Sequence, residues 1–475
     1  VIEVRLCGAA GEVTGSGYLV KTQKSTVLVD FGLFQGDEDS RLRSRELGPV
    51  DPRRLNAVVL THAHIDHSGR LPLLFASGYR GAVHATRATL ALTPILLEDV
   101  ARLDVEWVEK ANRRRERAGQ PPLERMYEVA DVRRLHSHAR ALNYGHWQDI
   151  AEGVSLRLCE AGHIMGSASV ELRVQDEGGQ RRIVFSGDLG PPGVPILRDP
   201  DPPEQADAVF MESTYGGRRR IPQEETVEAF KQVLEQAARE GERVIIPAFA
   251  VGRSQLILYY LAEAVREGRL PPDFPIYLDS PMAAEATAAL LEHPEVLDPE
   301  TTELIEKRQF ARDLSSLRVT QSSKESRALN ETGEPCVILS ASGMCEGGRV
   351  VHHLRHNLWR PKVHVVLVGY MVEGSLGRQL ADGAAKIEIF GDEVAVKAKV
   401  HVLDGFSAHA DEPELLDWLG HVVGDRRGDD APRVFLTHGE NPARDALAAA
   451  VESRFGLPAE KPGGDIPIFL FDVTL

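Results

Sequence analysis

An apolar run, Ala57-Val58-Val59-Leu60, leads through Thr61 into His62-Ala63-His64-Ile65-Asp66-His67. Four groups able to bind a metal fall within six residues, directly behind what reads as a buried strand. In extended chain alternate side chains share a side, so His62 and His64 point the same way. Asp66 and His67 follow as the chain turns into Ser68-Gly69-Arg70 and a short helical stretch. One pair of ligands is thus offered to one metal and a second pair to a neighbour. No local segment can complete such a centre, so other strands must bring the missing groups.

The arrangement of strand followed by ligand recurs. Asp30 follows the apolar run 26–29, and His163 lies among glycines in a loop after 154–158. Asp188 follows Ile183-Val184-Phe185-Ser186-Gly187, Glu212 ends Ala208-Val209-Phe210-Met211, and His438 ends Val434-Phe435-Leu436-Thr437. Each alone is weak; Asp30 by itself reads as a turn residue before glycine. Together they describe a sheet that delivers imidazoles and carboxylates to one edge, donors that suit a dinuclear centre with one bridging carboxylate. His409, in Gly405-Phe406-Ser407-Ala408-His409-Ala410-Asp411 ahead of a helix at 413–419, is expected to face the same edge.

Between Glu212 and about residue 400 the pattern changes. Helices at 222–240, 255–267 and 349–357 alternate with short apolar strands at 243–247, 275–278, 336–339 and 363–368. Buried strands separated by helices predict a parallel sheet with crossovers. A hairpin is expected over 386–400, around Gly391-Asp392-Glu393. Since His438 lies beyond this region, the α/β domain reads as an insertion, with boundaries 1–208, 209–399 and 400–475. A helix is expected over 88–103. The polar stretch 104–135, interrupted by Gly119-Gln120-Pro121-Pro122, reads as an exposed helical excursion, either a substrate lid or a solvated decoration.

At 475 residues the chain is long for one core, in keeping with two domains. Its 43% hydrophobic and 27% charged residues are ordinary for a globular protein, and no apolar stretch is long enough for a membrane span. Residues 1–6 alternate like a first core strand without a signal-peptide layout, and 469–475 read as a closing strand. Cys7, Cys159, Cys336 and Cys345 are scattered, which suits a reducing cytoplasm and argues against a cysteine zinc site. A net charge of −16 argues against non-specific wrapping of nucleic acid, although bound divalent ions would invert the field locally. Arginine is concentrated at 218–220 and within 349–362.

H-x-H-x-D-H, the later lone His163, Asp188 after a strand and the final His438 resemble the metallo-β-lactamase superfamily. Glu212-Ser213-Thr214-Tyr215-Gly216, the Ser407-Ala408-His409 stretch and Leu436-Thr437-His438-Gly439-Glu440 resemble motifs of its β-CASP ribonuclease branch, as do Leu278-Asp279-Ser280-Pro281-Met282-Ala283 and Ser340-Ala341-Ser342-Gly343-Met344. The chain is most similar to the short bacterial and archaeal type, akin to the endonuclease of the cleavage and polyadenylation machinery. The resemblance implies an αββα sandwich with an inserted β-CASP domain roofing the site. It implies two zinc ions, one held by His62, His64 and His163, the other by Asp66, His67 and His438, with Asp188 bridging. Asp30 would orient a ligand, and Glu212 would hold His409, the general acid; Asp66 counts with the catalytic groups as well as the ligands. Single-stranded RNA is the implied substrate, cut to 5′-phosphate and 3′-hydroxyl ends.

The lack of an N-terminal RNA-binding extension and of a further C-terminal domain argues against processive exonuclease action. His64, where redox relatives carry Glu, and His438, absent from DNA-repair relatives, narrow the assignment further. Ser342, Gly343 and the Gly347-Gly348 pair before a helix, together with Arg253, are candidates for phosphate contact, with ordinary turn chemistry as the competing account. The balance between endonuclease and 5′-exonuclease action stays open, and a homodimer is one assembly open to the chain. Two other functions compete: a small-molecule metallo-hydrolase of the same superfamily, and a non-catalytic RNA-binding subunit.

Overall fold

The computed structural model describes residues 2–176, 179–369, 371 and 374–471. Its contacts divide the chain into two units. The first comprises Val1–Gly193, Asp199–Arg219 and His409–Leu475, and the second Val194–Arg198 and Arg220–Ala408. The divisions at 219/220 and 408/409 fall about ten residues beyond those read from the sequence, so Glu212 joins His409 in the first unit and residues 400–408 fall in the second. Residues 194–198 join the second unit through a bridge between Leu197 and Leu297 and a 3.0 Å hydrogen bond from the Asp298 N–H to the Ile196 carbonyl.

Two seven-stranded sheets build the first unit. One runs Ile468–Leu470, Ile2–Leu6, Tyr18–Lys21, Thr26–Val29, Ala57–Val59, Ala82–Thr86, Ala139–Leu142. The other runs Ala459–Glu460, Arg433–Thr437, Ala208–Glu212, Gly179–Phe185, Ala168–Asp176, Val154–Glu160, Gln148–Ala151. Side-chain alternation sorts residues into layers. Val27, Val29 and Val59 pack inward against Leu158, Phe185 and Phe210 of the facing sheet. Leu28 and Val58 point outward to Leu71, Phe75 and Leu97 on helices. On the other side Val209, Met211 and Leu436 meet Leu415, Leu419 and Leu447 of the helices Glu412–Val423 and Asn441–Phe455. The layers are therefore helix, sheet, sheet, helix. Among the described residues the closing strand spans Ile468–Leu470, and residues 472–475 of the expected strand lie outside them.

A phenylalanine ladder aligns the strands that end at the site. Phe185, Phe210 and Phe435 stand in register on three parallel strands, with ring centroids 5.0 and 4.6 Å apart and the rings stacked nearly parallel. Asp188, Glu212 and His438 lie two or three residues beyond these rings. A slip of one residue would turn every side chain to the other face, so the ladder pins the site's register.

The helix expected over 88–103 runs much farther, from Arg87 to Arg117, capped by Thr86, whose hydroxyl accepts from the Thr89 N–H. Beyond Leu103 Arg, Glu and Lys are good helix formers, and no Gly or Pro interrupts them before Gly119 at φ +66°, the helix's one proline, Pro94, lying earlier. The expected break at 119–122 separates this helix from Val129–Ser137.

The second unit carries a six-stranded, wholly parallel sheet: Leu317–Val319, Ile276–Asp279, Val337–Ser340, Arg243–Pro247, Val363–Leu367, Lys399–Val402. The hairpin Lys386–Ile389 and Asp392–Ala395 forms where expected. Lys399–Val402 is a strand of the parallel sheet rather than part of that hairpin.

Candidate metal centre

Every residue expected to bind metal converges within the first unit. His62 Nε2 and His163 Nε2 lie 3.2 and 3.1 Å from His64 Nδ1. Both Nε2 atoms are 3.5 Å from Asp188 Oδ2. A second group faces the other oxygen of the same carboxylate. His67 Nε2 and His438 Nε2 are 3.0 Å apart and stand 3.1 and 3.5 Å from Asp188 Oδ1, with Asp66 Oδ2 3.6 Å from His438 Nε2. The two oxygens of Asp188 are divided between the two groups.

Local sequence explains how the loops hold this shape. His64 precedes the short helix Ile65–Ser68, whose first turn carries Asp66 and His67. Gly32 admits the metal loop, because a Cβ there would lie 1.5 Å from the Asp66 carbonyl oxygen. Gly190 does the same for the His163 loop, where a Cβ would lie 1.8 Å from the Gly162 carbonyl oxygen. Asp30, fully buried, accepts the Thr61 N–H and hydroxyl at 2.8 Å each, and lies 2.7 Å from His67 Nδ1. A proton on Nδ1 leaves the Nε2 lone pair of His67 aimed at the cluster.

Charge and donor chemistry test the fit to metal. A tetrahedron's edge is about 1.6 times its centre-to-corner distance, so ligands about 2.0 Å from a zinc stand about 3.3 Å apart. The nitrogens here stand 3.0–3.2 Å apart. Asp188 Oδ1 is buried and makes no hydrogen bond, a costly state for a carboxylate oxygen unless a cation faces it. Burial holds the His62 imidazole well below its ordinary pKa and so keeps it neutral, the form that ligates. Burial opposes the charge on Asp66, but His438 and His67 outweigh it and hold the carboxyl at about 2. These residues fit divalent cations.

His409 stands beside the cluster, its ring centroid 4.6 Å from that of His163. Its Nδ1 is 3.2 Å from each oxygen of Glu212. Glu212 is buried, and its Oε1 also accepts the Leu189 N–H at 2.7 Å. A carboxylate so engaged holds the imidazole. Burial works against charge on His409, but Glu212 outweighs it and lifts the pKa to about 9.

Several supports escaped the sequence reading. Ser186 Oγ accepts the Glu212 N–H at 2.9 Å, the Ser213 hydroxyl donates to the Thr437 carbonyl at 2.7 Å, and Thr214 Oγ1 lies 3.2 Å from His438 Nδ1. Their only signal is adjacency to a strand-end ligand. Arg253, Ser342 and Gly343 belong to the second unit. Arg253 is buried and donates to the Val368 carbonyl at 2.6 Å. Ser342 Oγ donates to the Gly347 carbonyl at 3.4 Å, and Gly343 packs closely on Phe249.

The αββα layers and a strand-end cluster of five histidines and two aspartates define a metallo-hydrolase. Residues 10–247 match the family described as metallo-beta-lactamase superfamily, residues 254–380 the Beta-Casp domain, and residues 393–462 the Zn-dependent metallo-hydrolase RNA specificity domain. The chain belongs to the metallo-β-lactamase superfamily and, within it, to the β-CASP ribonucleases. It is 41% identical to Ribonuclease TTHA0252 of Thermus thermophilus, covering 91% of this chain and 92% of that protein. It is 33% identical to Transcription termination factor FttA of Pyrococcus abyssi, covering 97% of this chain and 70% of that protein. A protein of unknown function from Enterococcus faecalis V583 shares the fold at 14% identity, with a TM-score of 0.56 over 99% of this chain and 100% of that one. Among the described residues no helix is long and apolar enough to cross a membrane.

Proposed function

We propose that the chain is a zinc-dependent ribonuclease that hydrolyses phosphodiester bonds of single-stranded RNA as an endonuclease, leaving a 5′-phosphate and a 3′-hydroxyl. The division of the Asp188 oxygens between two ligand groups, with His409 beside them, carries the reading. His62, His64 and His163 would hold one ion with Asp188 Oδ2, and Asp66, His67 and His438 the other with Oδ1. Two zinc ions bound there supply Lewis acidity toward a phosphoryl oxygen and acidify water at neutral pH.

The remaining work falls to the chain's own side chains. Asp30 fixes the tautomer and aim of His67. Glu212, anchored by the Leu189 N–H, keeps His409 protonated at neutral pH. His409 is then the general acid that gives its proton to the leaving 3′ oxygen. In the second unit Gly343 would offer a backbone N–H to phosphates, while the Ser342 hydroxyl is given to the Gly347 carbonyl and Arg253 anchors the Val368 carbonyl. The relative named a ribonuclease and the match to an RNA specificity domain support the substrate.

A circular single-stranded RNA incubated with zinc-loaded protein tests the proposal. The circle is expected to be opened and the new ends to ligate as 5′-phosphate and 3′-hydroxyl. An intact circle beside a degraded linear strand overturns endonuclease action, and two intact RNAs overturn the ribonuclease reading.

A further inference from the structure

The helix Arg87–Arg117 changes character along its length. Its buried residues are concentrated up to Ala101, and beyond that only Val108 and Ala111 are buried. The last eight residues hold Lys110, Arg113, Arg114, Arg115 and Arg117 against one acid, Glu116, in a chain whose net charge is −16. Trp107, Lys110, Arg114 and Arg117 recur at spacings of three, four and three, which puts them on one helix face. With Arg113, and with Arg41 from the helix Glu38–Arg43, they line a groove of about 650 Å³.

The charge in this groove is only partly compensated. Arg45 pairs with Asp104, and Arg114 with Glu38 at 3.2 Å. The Asp37 carboxylate is occupied as a helix cap, accepting the Ser40 N–H at 2.9 Å. Lys110, Arg113 and Arg117 are exposed and have no acidic partner among the described residues. Trp107, half-buried, stands with the Arg41 and Arg45 guanidinium carbons 5.6 and 4.9 Å from its ring centroid. Unpaired cations beside an indole are the elements of a single-strand platform: charge follows the backbone, and the apolar ring receives a base.

Chain continuity ties the groove to the metal loop. The Leu33 N–H donates to the Ile65 carbonyl at 2.8 Å, and Gly32 lies against Asp66. Gly36 of the groove wall is four residues on, and four residues of extended chain span at most about 14 Å. The wall therefore begins within reach of a few nucleotides from the metal ligands.

We infer that this groove is a second subsite for the RNA strand, gripping backbone phosphates outside the metal centre through Lys110, Arg113 and Arg117. The inference rests on the ribonuclease reading and gives the excursion after residue 104 a role as a strand guide. Three phosphate contacts on a single strand contribute about 2 to the slope of log affinity against log salt, at about 0.7 each. The test is fluorescence anisotropy in a metal-loaded His409→Ala background, with RNAs of about 30 and about 6 nucleotides, across a salt series. Replacing Lys110, Arg113 and Arg117 together by Glu is expected to lower the long-RNA slope by about 2 and weaken long-RNA binding at least about tenfold at low salt, with a smaller change for the short RNA. A parallel triple Gln variant keeps helix propensity, so the loss is read even where charge reversal unsettles the helix end.

An unchanged long-RNA slope overturns the subsite, as does an equal change for both lengths, which marks a general charge effect. Preference of the groove for polyglutamate over RNA overturns it too. If the parent protein binds but never cuts RNA, the ribonuclease reading falls while the slope still decides the subsite.

Discussion

Two buried aspartates, Asp188 and Asp279, each end a strand or its following turn beside a histidine, yet their surroundings are opposite. Asp279, in the second unit, is surrounded by donors. Its Oδ1 accepts from Arg349 at 2.8 Å and from the Thr320 hydroxyl; its Oδ2 accepts from the Ser326 hydroxyl at 2.6 Å and lies 2.5 Å from His353 Nε2. His353 is oriented in turn by Asn330, 2.9 Å from its Nδ1. Nothing remains for a cation to bind. Asp188 faces ring nitrogens on both oxygens, and its Oδ1 makes no hydrogen bond. A strand-end acid therefore says little by itself. Donors around it make a structural clamp, and acceptors around it make a metal site. Glu212 is intermediate, held by a backbone amide on one side and steering an imidazole on the other.

The largest expected effect separates chemistry from metal holding. His409→Ala should lower RNA cleavage about 10²–10⁴-fold with zinc content unchanged, as single-turnover rates and metal analysis would show. Loss of zinc in that variant would move His409 among the ligands and blur the contrast with Asp188.

Next comes the clamp. Asp279→Ala strands His353 and Arg349 without their buried acceptor and should cost about 3–5 kcal/mol in urea unfolding of the second unit, with zinc content unchanged. The loss should depend on pH. Burial opposes the Asp279 charge, but His353, Ser326 and Thr320 hold its carboxyl well below its ordinary 3.8. A depressed carboxyl stabilises fully above its unfolded value, so the difference between wild type and variant should shrink as pH falls below about 4. A pH-independent difference would show that charge is not what the clamp stores.

The smallest effect concerns Glu212. With the carboxylate removed in Glu212→Gln, the pKa of His409 should fall from about 9. Because the protonated acid is the active form, the alkaline limb of the rate profile should move to lower pH. An unmoved limb would detach Glu212 from the acid and leave it a purely structural residue.

The residues that converge in the candidate metal centre were legible because each follows an apolar run, and the ladder of Phe185, Phe210 and Phe435 converts that pattern into convergence. The αββα layers and the parallel inserted sheet followed from period and punctuation. What stayed hidden depends on partners distant in sequence. Residues 194–198 look like an ordinary proline-containing loop until Leu297 and Asp298 pair with them. The division of the units falls beyond the strand Ala208–Glu212 because that strand pairs with Arg433–Thr437 across the insertion. The helix Arg87–Arg117 outran its apolar stripe because charged helix formers sustain it without a core beneath. The supports Ser186 and Thr214 carry no periodic signal at all.

Counting metal tests the central claim most directly. Zinc-saturated protein, freed of loosely bound metal by gel filtration and measured by plasma mass spectrometry, should carry two ions per chain in the wild type. The Asp188→Asn protein should lose occupancy at both positions together, because one carboxylate serves both. A single ion in the wild type, or two retained in Asp188→Asn, would contradict a centre bridged by Asp188.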